Sequence, residues 1–127
     1  MAKILGLGGV FFKSSNPEKL AGWYKEYLGL DVDPSFNGVS FPSADIPDYG
    51  YTVWGPFKED TSYFDPSTKD YMINFIVDDV EALLLQAKNG GAEIHGSANE
   101  EPYGYFGWFS DPDGNKVELW RPSKKND

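Results

Sequence analysis

Glu118 and Trp120 are the residues of this chain best placed to do chemistry together. They lie in Lys116-Val117-Glu118-Leu119-Trp120-Arg121, where alternation along a strand puts Val117, Leu119 and Arg121 on one face and Lys116, Glu118 and Trp120 on the other. A carboxylate beside an indole on one sheet face suits a metal ligand, a general base, or one wall of a binding cleft; it equally suits a solvated strand residue. The run before it, Tyr103 to Ser110, is rich in aromatics. The two runs are joined by Asp111-Pro112-Asp113-Gly114-Asn115, in which Pro fixes φ, Asp bonds its own backbone and Gly accepts positive φ. The stretch Tyr103 to Pro122 therefore reads as a hairpin that carries the candidate site.

The elements that must position this hairpin appear twice along the chain. Ile4 to Phe12 reads as a strand. Asn16-Pro17-Glu18 opens a helix with a cap, a first-turn Pro and an early acid. Leu20, Trp23, Tyr24, Tyr27 and Leu28 give that helix one apolar face, and Gly29 stops it. Leu30 to Phe36, Asn37-Gly38 and Val39 to Phe41 form a hairpin around a favoured two-residue turn, and Tyr51 to Trp54 forms a further strand. After a polar, Pro-containing linker over 57–70, the order begins again. Tyr71 to Val77 is a strand, Asp78-Asp79 caps a helix through Val80, Leu83, Leu84 and Ala87, and Asn89-Gly90-Gly91 ends it. Ala92 to His95 is a short strand, Gly96 to Pro102 a loop, and the hairpin closes the unit. Tyr51-Thr52-Val53-Trp54-Gly55-Pro56 echoes Val117-Glu118-Leu119-Trp120-Arg121-Pro122. Repeated order with a repeated ending points to a duplicated βαβββ unit: an α+β chain, one domain over 1–127, with modules at 4–56 and 71–122.

With this order in place the chain resembles the vicinal oxygen chelate superfamily, which includes glyoxalase I, bleomycin-resistance proteins, extradiol dioxygenases and fosfomycin-resistance enzymes. The resemblance is carried by Gly9 to Phe12, by Asn16 to Leu20 through Trp23-Tyr24 to Gly29-Leu30, by Phe75 to Asp79, and by Asp111 to Asn115 through Glu118-Leu119. It implies two βαβββ modules forming an open, incomplete barrel whose concave face holds a metal or a ligand. In the superfamily's metal enzymes the ligands come from the first and last strand of each module. Those positions here are Gly9, Thr52, Met72 and Glu118, and only Glu118 is a competent ligand; a shift of register to Asn74 or Tyr51 does not rebuild a His- and Glu-based site. Zinc needs about three protein ligands. The one histidine, His95, falls off these positions, so no metal site and no cofactor are expected.

Three functions from different classes follow. The first is metal-free binding of a small molecule in the concave cleft, walled by Trp54, Trp108 and Trp120, with Tyr103 and Phe106 at its mouth and Thr52, Met72 and Gly9 at the remaining site positions. Each aromatic has a plain alternative as a core residue. The second is a lyase, isomerase or transferase with Glu118 as general base and Tyr103 or Tyr105 donating to an oxyanion. The third is an interaction module in which the aromatics serve core and interface.

Composition narrows the partners. The chain has 127 residues, 11 basic against 20 acidic side chains, a net charge of −9, and no cysteine. Acid spread through both halves, with Arg121 the sole arginine, disfavours phosphate backbones and hence nucleic acid. No apolar run is long enough to span a membrane, and the absence of cysteine fits a cytoplasmic protein without disulfides. An open barrel leaves strand edges that need cover, which predicts a homodimer.

Overall fold

The computed structural model describes residues 1–124. Its elements are helix α1 (Pro17–Leu28), a 3-10 turn (Ser43–Asp45), strand β1 (Ile73–Ile76), helix α2 (Val80–Asn89) and strands β2 (Glu93–Glu101), β3 (Gly104–Ser110) and β4 (Lys116–Pro122). Among the described residues no helix is long and apolar enough to cross a membrane.

Both helices begin and end where their caps dictate. The Asn16 side chain accepts from the Lys19 amide at 3.1 Å and that of Asp79 from the Ala82 amide at 3.0 Å, each satisfying a first-turn N–H that has no partner inside the helix. Gly29, at φ 69°, closes α1 in the left-handed conformation.

The four strands form one mixed sheet in the order β1-β4-β3-β2. β4 is parallel to β1, with Asn74 opposite Glu118, and antiparallel to β3, with Trp108 opposite Glu118. One face carries both helices. Phe109, Val117 and Leu119 are buried there against Leu20 and Tyr24 of α1 and Val80, Leu84 and Ala87 of α2. Gly107 on β3 lets α2 approach: a Cβ at that position would lie 2.7 Å from Leu84 Cδ1 and 2.9 Å from Val80 Cγ1.

The fold is α+β, and β1, α2, β2, β3 and β4 follow one another in that order from Ile73 to Pro122. Three local expectations change. The segment after His95 is not a loop. β2 continues to Glu101, with an irregularity between His95 and Asn99 where Gly96 takes φ 66°; its polar residues look like loop because this edge strand is largely solvated. In the first half α1 forms, but the expected hairpin around Asn37-Gly38 is reduced to a four-residue turn over 34–37 closed by the single bridge between Asp33 and Gly38, with Asn37 at φ 57°. The segments Ile4 to Phe12 and Tyr51 to Trp54, expected as strands, run without ladder partners, because among the described residues no second strand lies alongside them.

Replacing Gly107 by Ala should cost about 1–3 kcal/mol, since Leu84 and Val80 must yield in a packed core. The expected readout is a lower urea midpoint with an unchanged slope; an unchanged midpoint would show that α2 has room to shift.

Candidate functional site

The sheet face opposite the helices is built around Glu118. Strand alternation places it with Trp120 on β4, Phe106 and Trp108 on β3 and Asn74 on β1. Glu118 is only 8% exposed, so its carboxylate has to find donors inside the protein. It receives Asn74 Nδ2 on Oε1 at 2.7 Å, and on Oε2 both Trp108 Nε1 at 2.8 Å and the Tyr63 hydroxyl. No buried side-chain polar atom among the described residues lacks a partner.

Around this carboxylate the aromatics form a row. Phe106 lies nearly parallel to Trp120, at 6.1 Å between centroids and 8°, and to Trp108, at 6.5 Å and 11°. Trp120 is 4% exposed; its indole N–H donates to the Tyr103 carbonyl at 2.9 Å, and Tyr51 stands edge-on against it at 4.9 Å. Tyr63 meets Trp108 edge-on at 6.4 Å and stacks on Phe57 at 5.6 Å. The Lys116 ammonium donates to the Tyr63 carbonyl at 2.6 Å and lies over its ring. Tyr63 as a whole is 39% exposed, so its ring edge meets solvent while its hydroxyl points inward. Tyr51 and Tyr63 thus roof the aromatic row. Two concavities of about 360 and 380 Å³ lie elsewhere, one at Arg121 and Lys124 and the other between Val10 and Tyr71.

The turn that carries β4 is locked by a second carboxylate. Asp111 Oδ1 accepts the amides of Asp113 and Asn115, both at 2.9 Å. Its Oδ2 accepts the Asn115 side chain at 2.8 Å and the Tyr24 hydroxyl of α1 at 2.9 Å. Burial, and then the charge of Asp111, push the Tyr24 phenol far above its ordinary value; burial, and then the hydrogen bond to Glu118, do the same to Tyr63. Both hydroxyls therefore stay protonated and act as donors.

This geometry agrees with sequence comparison. A family model described as a glyoxalase-like domain matches residues 9–120. The chain belongs to that family. Its place in the vicinal oxygen chelate superfamily follows from the match together with the fold. The chain is similar to the solved structure of TnmS3, an antibiotic-binding protein from Streptomyces sp. CB03234, with 24% identity, a TM-score of 0.51, and coverage of 86% of this chain and 88% of that one. An integron cassette protein from the mobile metagenome of V. cholerae shows 18% identity and a TM-score of 0.55, covering 97% and 99%. Curated protein sequences gave no match.

Within this glyoxalase-like chain the sequence-predicted residues divide into two groups. Glu118, Trp120, Trp108 and Phe106 come together on one face. Tyr103 contributes its carbonyl to Trp120, while its side chain points outward at the β2–β3 turn. Met72 lies just before β1, and its place opposite the carboxylate is taken by Asn74. Gly9, Thr52 and Trp54 stay in the unpaired first half, and Trp54 is 80% exposed. His95 sits on β2 opposite Trp108, with Nε2 2.6 Å from the Ser110 hydroxyl and Nδ1 3.8 Å from Glu93.

Tyr63 was missed, because 57–70 reads as a linker; the aromatic pair Tyr63-Phe64 inside a polar stretch was its only signal. Among the described residues no three His, Cys, Asp or Glu side chains approach closely enough to hold a metal. The groups aimed at Glu118 are N–H and O–H donors, which suit a carboxylate and do not fit a cation. Glu118 accepts three hydrogen bonds, two of them on Oε2 and one on Oε1.

Two outcomes test this arrangement. Glu118→Gln should cost under about 1 kcal/mol, since Asn74 can turn its amide to accept, whereas Glu118→Ala strands buried donors at about 1–3 kcal/mol. Chemical denaturation of the two variants checks the difference; equal losses would show that the carboxylate is not held as described. Alkali supplies the second. With folded-state values above the ordinary 10.0 of a phenol, the stability from Tyr24 and Tyr63 is complete below pH 10 and lost as pH rises further, because only the unfolded chain ionises there. A Tyr24→Phe/Tyr63→Phe variant should therefore lose less stability between pH 9 and 11 than the parent (~pH units spanning the unfolded phenol value).

Proposed function

We propose that this glyoxalase-like chain is a cytoplasmic protein that binds a small, flat, partly apolar molecule against the row Trp120, Phe106 and Trp108, without a metal ion. The single observation that carries this reading is the near-parallel alignment of the three rings on the sheet face that the helices leave free. A core needs no such alignment, whereas a planar ligand gains from each aromatic face it stacks on. Glu118 supports the row by fixing Trp108 through the indole N–H. The ligand reaches the row by moving aside Tyr51 and Tyr63, which stand edge-on against Trp120 and Trp108. TnmS3, an antibiotic-binding protein of similar fold, supports the reading at the level of architecture.

Titration with planar aromatic compounds, some cationic and some neutral, followed by tryptophan emission, tests the proposal. Saturable quenching is expected from at least one class, weakened about tenfold by Phe106→Ala, the equivalent of roughly 1.4 kcal/mol of stacking. Quenching that is absent, or that is identical in Phe106→Ala and Trp108→Ala, would remove the site from this face.

A further inference from the structure

We infer that the sheet face carries a nucleophile beside the aromatic row: the Ser110 hydroxyl, activated by His95, takes the acyl group of an aryl ester and passes it to water. Ser110 Oγ lies 2.6 Å from His95 Nε2, and His95 Nδ1 lies 3.8 Å from Glu93 Oε1. A hydroxyl nucleophile needs a base within hydrogen-bond reach, and that base needs a further group to orient it. Ser110, His95 and Glu93 supply those parts in that order.

The ladder explains why the three meet. Glu93 on β2 lies opposite Ser110 on β3, and His95 lies opposite Trp108. Alternation therefore puts Glu93, His95, Ser110 and Trp108 on one face. His95 is the diagonal neighbour of Ser110, a span that a ring side chain bridges. Regular pairing breaks between His95 and Asn99, where Gly96 takes φ 66°, and such breaks re-aim the side chains beside them.

Charge sets the tautomer. Only an unprotonated Nε2 accepts the serine proton, which leaves the ring proton on Nδ1, and the Glu93 carboxylate on that side favours it there. At 3.8 Å this pair is looser than a hydrogen bond, and with its side chain 75% exposed Glu93 is free to close in when substrate binds. His95, 19% exposed, is the more firmly held of the two. On the other flank Lys116 of β4 lies opposite Ser110 and on the same face. Its ammonium spends one N–H on the Tyr63 carbonyl and keeps the others for an oxygen that gains charge as a carbonyl is attacked.

The step balances without a co-reactant other than water. Ser110 Oγ bonds to the ester carbonyl carbon as its proton passes to Nε2. The ester C–O bond then breaks, and the aryl oxide leaves with that proton. Water adds to the acyl carbon of the acyl-serine, its proton crosses His95 to Ser110 Oγ, and the free acid departs. The aryl preference rests on the ligand-binding reading above, since a ring stacked on Trp108 brings a carbonyl towards Ser110. The serine–histidine pair stands without it.

Reaction with para-nitrophenyl acetate tests both parts. A burst of nitrophenol is expected, with an acetyl group on Ser110 by peptide mass spectrometry. Hydrolysis should fall about a hundredfold in Ser110→Ala and in His95→Gln. Ser110→Cys, which keeps a nucleophile of similar size, should still be acetylated at that position. Glu93→Gln, which acts through His95, should move the neutral imidazole towards the Nε2–H tautomer in nitrogen NMR spectra and lower the rate severalfold. Phe106→Ala should raise KM for this ester about tenfold. Acetyl groups found only on lysines or on His95, or an unchanged rate in Ser110→Ala, would overturn the nucleophile; saturable tryptophan quenching by planar compounds in the same sample would leave the binding reading standing. An unchanged tautomer in Glu93→Gln would overturn the part given to Glu93, and an unchanged KM in Phe106→Ala the part given to the row.

Discussion

A carboxylate buried in the central strand of a sheet has to be met by donors from every side, and Glu118 imposes that demand on three separate parts of the chain. β3 answers with the Trp108 indole, β1 with the Asn74 amide, and the 57–70 segment with the Tyr63 hydroxyl. The strand pairing puts the first two opposite Glu118 on either flank. The third draws a stretch without regular structure across the sheet and holds it there, with Lys116 gripping the same tyrosine from its carbonyl side. Without these donors the carboxylate would carry an unpaid desolvation cost of several kcal/mol. Aromatic order is the by-product: the interaction that satisfies the charge also fixes an indole, and Phe106 aligns between that indole and Trp120.

The Asp111 turn plays the parallel part on the helix side. One carboxylate there gathers two backbone amides, an asparagine side chain and a tyrosine from α1. It thus sets the start of β4 and its distance from the helix layer together. Val117 and Leu119 then fall into the core, and Glu118 and Trp120 onto the opposite face, by alternation alone. The two carboxylates are seven positions apart, and each organises one side of the sheet.

How much of this was legible follows from the range over which each signal acts. The caps at Asn16 and Asp79, the stop at Gly29 and the Asp111–Asn115 turn are local chemistry, and each formed where its residues indicated. The second module's order and the facing of β4 came from periodicity, which is nearly as local. β2 was cut short because a solvated edge strand with a bulge has a loop's composition. The site position on β1 was read at Met72 with Asn74 as the alternative register, and it is Asn74 that lies opposite Glu118, because a sequence echo fixes which strands correspond and leaves their register open. Tyr63 lies 55 positions from Glu118, and nothing within its own neighbourhood announces that reach. The first-half strands are the sharpest case: the residues have strand character, but a strand exists only with a neighbour, and among the described residues none lies beside them.

The sheet order has a consequence for how the molecule comes into being. β1 and β3 do not touch; β4 lies between them, and it is the last of the four strands to leave the ribosome. Until Lys116 to Pro122 emerge, β1 has no ladder, the helices have no complete floor to cover, and Trp108 has no carboxylate to bind. The antiparallel pair β2–β3 can assemble early from near neighbours, but the parallel pairing of β1 with β4 must close a span of about forty residues, a slower event. Synthesis therefore delivers the keystone after the stones it holds, and for that interval the nascent chain carries its apolar sheet faces uncovered.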